Sequence, residues 1–159
     1  MKTYEALLET IEPEVSFGYE TIHVLKSPEL KSHQIGYSIG PTGKSLTGHR
    51  AGDWLEQWVA IGYEDLCGDP IFIDTLAPGF PVFTAIHGEG RWEPKQIADS
   101  LEQFGRVLSI IANLAKGREN PVALEENPLS QSEKENAITV IQRDNPRSSI
   151  EFWAILLTN

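Results

Sequence analysis

Ser38 stands in Gly36-Tyr37-Ser38-Ile39-Gly40, a literal G-x-S-x-G. In acyl hydrolases that pattern holds a serine nucleophile on a sharp turn between a strand and a helix. Here Ile35, Tyr37 and Ile39 alternate as a strand would, but Pro41-Thr42-Gly43 reads as a loop where the helix should begin. A strand ending in a glycine turn is expected, and a serine hydrolase using Ser38 stands as an alternative. Gly40-Pro41-Thr42-Gly43-Lys44-Ser45 ends like a phosphate-binding loop. Its required first glycine would fall on Ser38, and Thr47 and Gly48 replace the helix whose N-terminus would face a phosphate. A nucleotide site is rejected. His23, His33, His49 and His87 show no H-x-H or H-E-x-x-H spacing and Cys67 is the one cysteine, so no metal or other cofactor is expected. His87-Gly88-Glu89 offers half of an acid–base pair, and Asp69 and Asp74 a pair of carboxylates. A histidine before a glycine and an aspartate in a turn are more simply turn residues. No catalytic residue is assigned, and the chain is read as a non-enzyme.

Charge is the more informative signal. The 159 residues carry 13 Lys+Arg against 23 Asp+Glu, a formal charge of −10. That balance argues against nucleic-acid and anionic-membrane binding, which need a basic footprint, and favours a basic protein partner. The stretch from Ile61 to Gly90 holds Glu64, Asp65, Asp69, Asp74 and Glu89 without one Lys or Arg, whereas other stretches of similar length mix signs. The five form the candidate partner-binding set, with Glu64, Asp65, Asp69 and Glu89 expected at or near loop tips. A solvated face is the plain reading; an acidic docking surface is the functional one. Met1 to Glu9 lack the pattern of a secretion signal, no stretch approaches the ~18 apolar residues of a membrane span, and the single cysteine fits a reducing compartment. A cytoplasmic protein is expected.

The elements that must carry these residues follow from periodicity. Tyr4, Leu7, Leu8 and Ile11 form a helical stripe that Pro13 stops. Val15 to Leu25 reads as extended. Trp54 to Ile61 reads as a strand in its second half, stopped by Gly62. Cys67-Gly68-Asp69 is a turn, with Pro70 at the start of a strand over Ile71-Phe72-Ile73-Asp74. Ala77-Pro78-Gly79 joins that strand to a second over Pro81 to His87, as an antiparallel hairpin. A helix from Pro94 to Lys116 is expected from Ile97, Leu101, Phe104, Leu108 and Ile111, with Gly117 as its stop. Ser132 and Glu135 have capping-box form ahead of Ala137, Ile138 and Ile141, and Asn145-Pro146 reads as a cap before Ile150, Trp153, Ala154 and Leu157. With no repeats and no linker, the length suits one domain over 1–159: α+β, a central mainly antiparallel sheet flanked by N-terminal and C-terminal helices.

In order, Ile61-Gly62, Gly68-Asp69-Pro70-Ile71-Phe72-Ile73-Asp74, Pro81-Val82-Phe83, His87, Trp92 and Ile97-Ala98-Asp99-Ser100-Leu101-Glu102-Gln103-Phe104 resemble the Smi/Knr-type branch of the SUKH superfamily. The resemblance spans roughly positions 54–116. Members show a Gly-Asp turn leading into a strand that ends in Asp, a Pro-Val strand ending near His, and a helix opening on an Ala-Asp-Ser-Phe step. Leu101 stands where that phenylalanine is usual. Asn145-Pro146 and Phe152-Trp153 also resemble the tail of some bacterial members, while the family's early Leu-Pro step and Asn-Gly turn are not evident. The resemblance implies an α+β domain without catalytic machinery. Bacterial relatives often act as immunity proteins that bind and neutralise a polymorphic toxin, frequently a nuclease or deaminase. Fungal relatives are linked to cell-wall synthesis through protein contacts. The expectation is thus an immunity protein with a basic cognate toxin; a scaffold or regulator of the same fold is the alternative.

Overall fold

The computed structural model describes residues 1–158. Helix α1 (Tyr4–Leu8) opens where the Thr3 hydroxyl accepts the Ala6 N–H, satisfying one of the amides a helix start leaves unpaired. Strands β1 (Glu14–Phe17) and β2 (Glu20–Val24) form a hairpin turned at Gly18, whose φ of 57° suits a residue without a side chain. The extended segment expected there is thus two strands. Helix α2 (Ser27–His33) follows, with Pro28 in its first turn and Glu29 accepting the Lys26 N–H; it lies where no helix was anticipated.

Four more strands complete one sheet: β3 (Trp58–Glu64), β4 (Pro70–Asp74), β5 (Val82–Thr84) and β6 (Lys95–Ala98). The order is β1-β2-β3-β4-β5-β6, and every neighbouring pair is antiparallel. The α+β class with an antiparallel sheet and flanking helices is therefore the observed one. Gly62 does not end β3. It lies beside a bulge where β2 comes so close that a Cβ would collide with the His23 carbonyl oxygen.

Alternation along the strands divides the apolar residues between two cores. Ile71 and Ile73 of β4, with Ile22, Ile61 and Val82, face α3 (Leu101–Ala115) and pack on Leu101, Phe104, Leu108 and Ile111. Phe72, between those two isoleucines, joins Trp54, Trp58, Ala60 and Ala85 in a separate aromatic cluster. The segment 35–57 covers this second core. It has only isolated bridges, and it is fixed by Gln34, whose amide takes the Ala60 N–H at 2.9 Å and donates to the Ala60 carbonyl at 2.8 Å. Gln34 thereby satisfies two backbone groups of β3 just past the last residue paired with β2.

The remaining helices are α4 (Pro121–Glu126), α5 (Gln131–Asp144) and α6 (Glu151–Leu156). Four expectations need correction here. Ile35, Tyr37 and Ile39 form no strand: the N–H groups of Tyr37, Ser38 and Ile39 all point at the Gln34 carbonyl in a tight turn after α2. The helix expected from Pro94 begins at Leu101, because residues 95–98 pair with β5 instead and Ser100 caps the helix by accepting the Gln103 N–H. The capping box of α5 is Ser130 with Glu133, two residues earlier than Ser132 and Glu135. Asn145 closes α5 rather than opening α6. Its buried side chain takes the Asp99 N–H and donates to the Ile141 carbonyl, tying α5 to the β6–α3 junction. Among the described residues no helix is long and apolar enough to cross a membrane.

Candidate functional site

The five carboxylates singled out in the acidic stretch do not form one face. Glu64, at the end of β3, is only 4% exposed. It accepts the N–H groups of Leu66, Cys67 and Asp69 at 3.0, 3.0 and 2.8 Å, closing the turn between β3 and β4 around itself. It is therefore not a loop-tip residue, contrary to expectation. Three backbone donors outweigh the cost of bringing the charge out of water. Asp65 leaves on the opposite side, where it accepts the Thr21 N–H at 2.7 Å and lies 3.6 Å from His23. His23 pairs across the ladder with Tyr63, one position from the Ile22–Glu64 pair, so alternation puts Asp65 and Glu64 on different faces. Asp74 sits at the far end of β4 from Asp69 and caps a turn by accepting the Leu76 N–H. Five residues of strand hold the two roughly 16 Å apart, which dissolves the carboxylate pair.

Asp69, the Glu64 carboxylate and Glu89 do converge, on a groove of about 480 Å³ between the β3–β4 turn, the segment linking β5 to β6, and α6. Asp69 binds the next wall. Its Oδ1 accepts the His87 N–H at 3.0 Å and lies 2.8 Å from His87 Nδ1, so the β3–β4 turn and the end of β5 are tied together. The groove also gathers Glu20, Glu93 and Glu151, which no local acidic run pointed to. Two cations line it, and each is engaged: Arg91 by Glu93, and Lys95 by Glu151 at 2.5 Å. Glu89 is exposed, with no ion-pair partner among the described residues. Leu66, Ile86 and Ile155 line the same groove at 52%, 59% and 54% exposure, beside the half-buried Phe152.

Cys67, His87 and Asp69 lie on or beside this groove, which raises the question of thiol chemistry. The nearby charge of Glu64, then the small desolvation, then Asp69 and Glu20, all push the Cys67 thiol above its ordinary range. Reactive cysteines need the reverse, an electropositive setting that favours the thiolate. His87 turns Nδ1 to Asp69, and its link to Glu89 is one of sequence only. Ser38 sits in the turn after α2, with neither the preceding strand nor the following helix of a nucleophile elbow. The other histidines lie elsewhere. His23 and His33 both stack on Tyr63, and His49 borders a second depression beside Trp58 and Trp92. In that depression Arg50 is paired with Asp53 at 3.7 Å.

The groove thus offers carboxylates and apolar side chains together, and its charges disfavour the Cys67 thiolate. Comparison with protein-family models, curated proteins and solved structures gives no match for this chain.

Proposed function

We propose that this chain is a non-enzymatic protein-binding module, an immunity protein that binds and neutralises a basic cognate toxin in the cytoplasm. The observation that carries the reading is the groove beside α6. Six carboxylates from four separate parts of the chain line it against two cations, a formal excess of four negative charges, and Glu89 is exposed without an ion-pair partner among the described residues. A surface of that kind draws in a basic partner and repels nucleic acid and anionic lipid. The ordered resemblance of residues 54–116 to SUKH proteins supports the same reading, and the α+β fold is the one that resemblance implies. A nuclease toxin, with a cleft built to hold phosphates, has the matching charge.

Affinity capture with the full chain from its native host, followed by mass spectrometry, tests this. The expected product is a basic protein that arrests growth when expressed alone and is silenced by co-expression of this chain. Recovery of neutral or acidic partners only, or of a toxin that co-expression leaves active, overturns the proposal.

A further inference from the structure

The groove is not merely acidic. Exposed apolar side chains scattered singly over a surface are ordinary, but here three of them meet from three different elements. Leu66 comes from the β3–β4 turn, Ile86 from the segment after β5, and Ile155 from α6. The volume of about 480 Å³ lies in the ~300–1,000 Å³ range of formed binding pockets, enough to take bulky side chains. Leu66, Ile86 and Ile155 are each more than half exposed, so carboxylates and apolar side chains share one accessible lining and set two conditions on the occupant. A purely cationic chain would satisfy the carboxylates and leave Leu66, Ile86 and Ile155 wet. A purely apolar one would strip water from Glu89 without giving it a partner.

We infer that this groove seats an amphipathic basic segment of a protein partner, anchored by large apolar side chains on Leu66, Ile86 and Ile155 and flanked by Lys or Arg facing Glu89 and Asp69. This rests on the binding reading above and names the segment by which the partner is held. Interfaces of this type concentrate their energy in a few buried anchors inside a charged rim. The segment would therefore bind as a short peptide that presents its apolar residues along one face.

The test uses the full chain and three short amidated peptides. One has Leu and Lys at amphipathic helical spacing. The second replaces each Leu by Ser at the same charge, and the third replaces each Lys by Glu. Calorimetry is expected to show the Leu–Lys peptide binding about tenfold or more tighter than the Ser–Lys peptide, with the Leu–Glu peptide weakest. Amide resonances of residues 66, 86 and 155 should shift together. The Ile86→Ser/Ile155→Ser variant should lose about tenfold of the affinity, and Glu89→Lys should weaken binding while leaving the apolar anchors in place. These positions are exposed, so melting temperatures should stay within about 2 °C, which separates lost binding from lost folding. Equal affinity for the two Lys peptides, or full affinity in the Ile86→Ser/Ile155→Ser variant, overturns the inference. If that double variant still captures the same basic protein from the host, the groove is not the anchor and the binding function stands. If the unaltered chain captures no basic protein, the functional proposal itself fails.

Discussion

The carboxylate of Glu64 gathers three N–H groups of its own turn, and this makes it a structural residue inside an acidic stretch. Replacing it by Gln leaves an amide NH2 facing some of those donors. Glu64→Gln should therefore cost about 1–3 kcal/mol in urea unfolding, the loss of part-buried hydrogen bonds to a charged acceptor. A midpoint equal to that of the parent chain would show that the turn does not depend on the charge. Sequence alone placed Glu64 with exposed carboxylates because charge runs are usually solvated. The available signal was its position just before Asp65-Leu66-Cys67-Gly68-Asp69, where a carboxylate can accept amides of the following turn as an N-cap does. Cys67 reports the same field. With Glu64, Asp69 and Glu20 raising the thiol, the thiolate forms only at higher pH than in a free cysteine. Alkylation by iodoacetamide at pH 7.5 should be slower than for an unstructured peptide thiol. Its rate should climb with a midpoint above ~8.5, the ordinary cysteine value. A midpoint below that value would contradict the acidic character of the groove.

Among the elements, α3 makes the largest single contribution to the main core, and its stripe was legible because a fifteen-residue amphipathic helix repeats its signal several times. Phe104 is fully buried and lies 6.1 Å from the Trp153 ring. Phe104→Ala should cost about 3–5 kcal/mol of unfolding free energy, and a loss below ~1 kcal/mol would show that the helix does not depend on this contact. The start of that helix was misread for a physical reason. Ile97 falls four residues before Leu101, so it extends the helical stripe while in fact it is a buried strand residue of β6. Periodicity cannot separate the two in a four-residue strand. Ser100 and Gln103 had the form of a capping box and marked the true start, since the Ser100 hydroxyl does accept the Gln103 N–H. The strand expected at Ile35–Ile39 failed similarly: alternation over five residues is a weak signal, and Gly36, at φ 94°, already favoured a turn. The long segment covering the aromatic cluster was the least legible part. Its conformation depends on Gln34 reaching Ala60, a contact spanning 26 residues that no local pattern encodes.

Over the whole molecule, the formal charge of −10 and the placement of carboxylates around one groove make different claims about association. Sequence showed the net charge and the acidic stretch directly. It could not show that the stretch divides between two faces, nor that Glu20, Glu93 and Glu151 join Asp69 and Glu89 from distant parts of the chain. Two substitutions separate the claims. Glu89→Lys and Asp74→Lys change the net charge by the same two units. Glu89 lines the groove, while Asp74 lies at the other end of β4. If net charge alone steers a basic partner, both variants should slow association equally. If the groove is the destination, charges more than about a Debye length away, ~8 Å at physiological salt, are largely screened at the moment of docking. Glu89→Lys should then slow stopped-flow association of the Leu–Lys peptide several-fold more than Asp74→Lys, and as salt rises both effects should shrink, that of Asp74→Lys vanishing first. Equal, non-zero slowing by the two variants at every salt concentration would mean that steering is global and that the groove gives no local guidance.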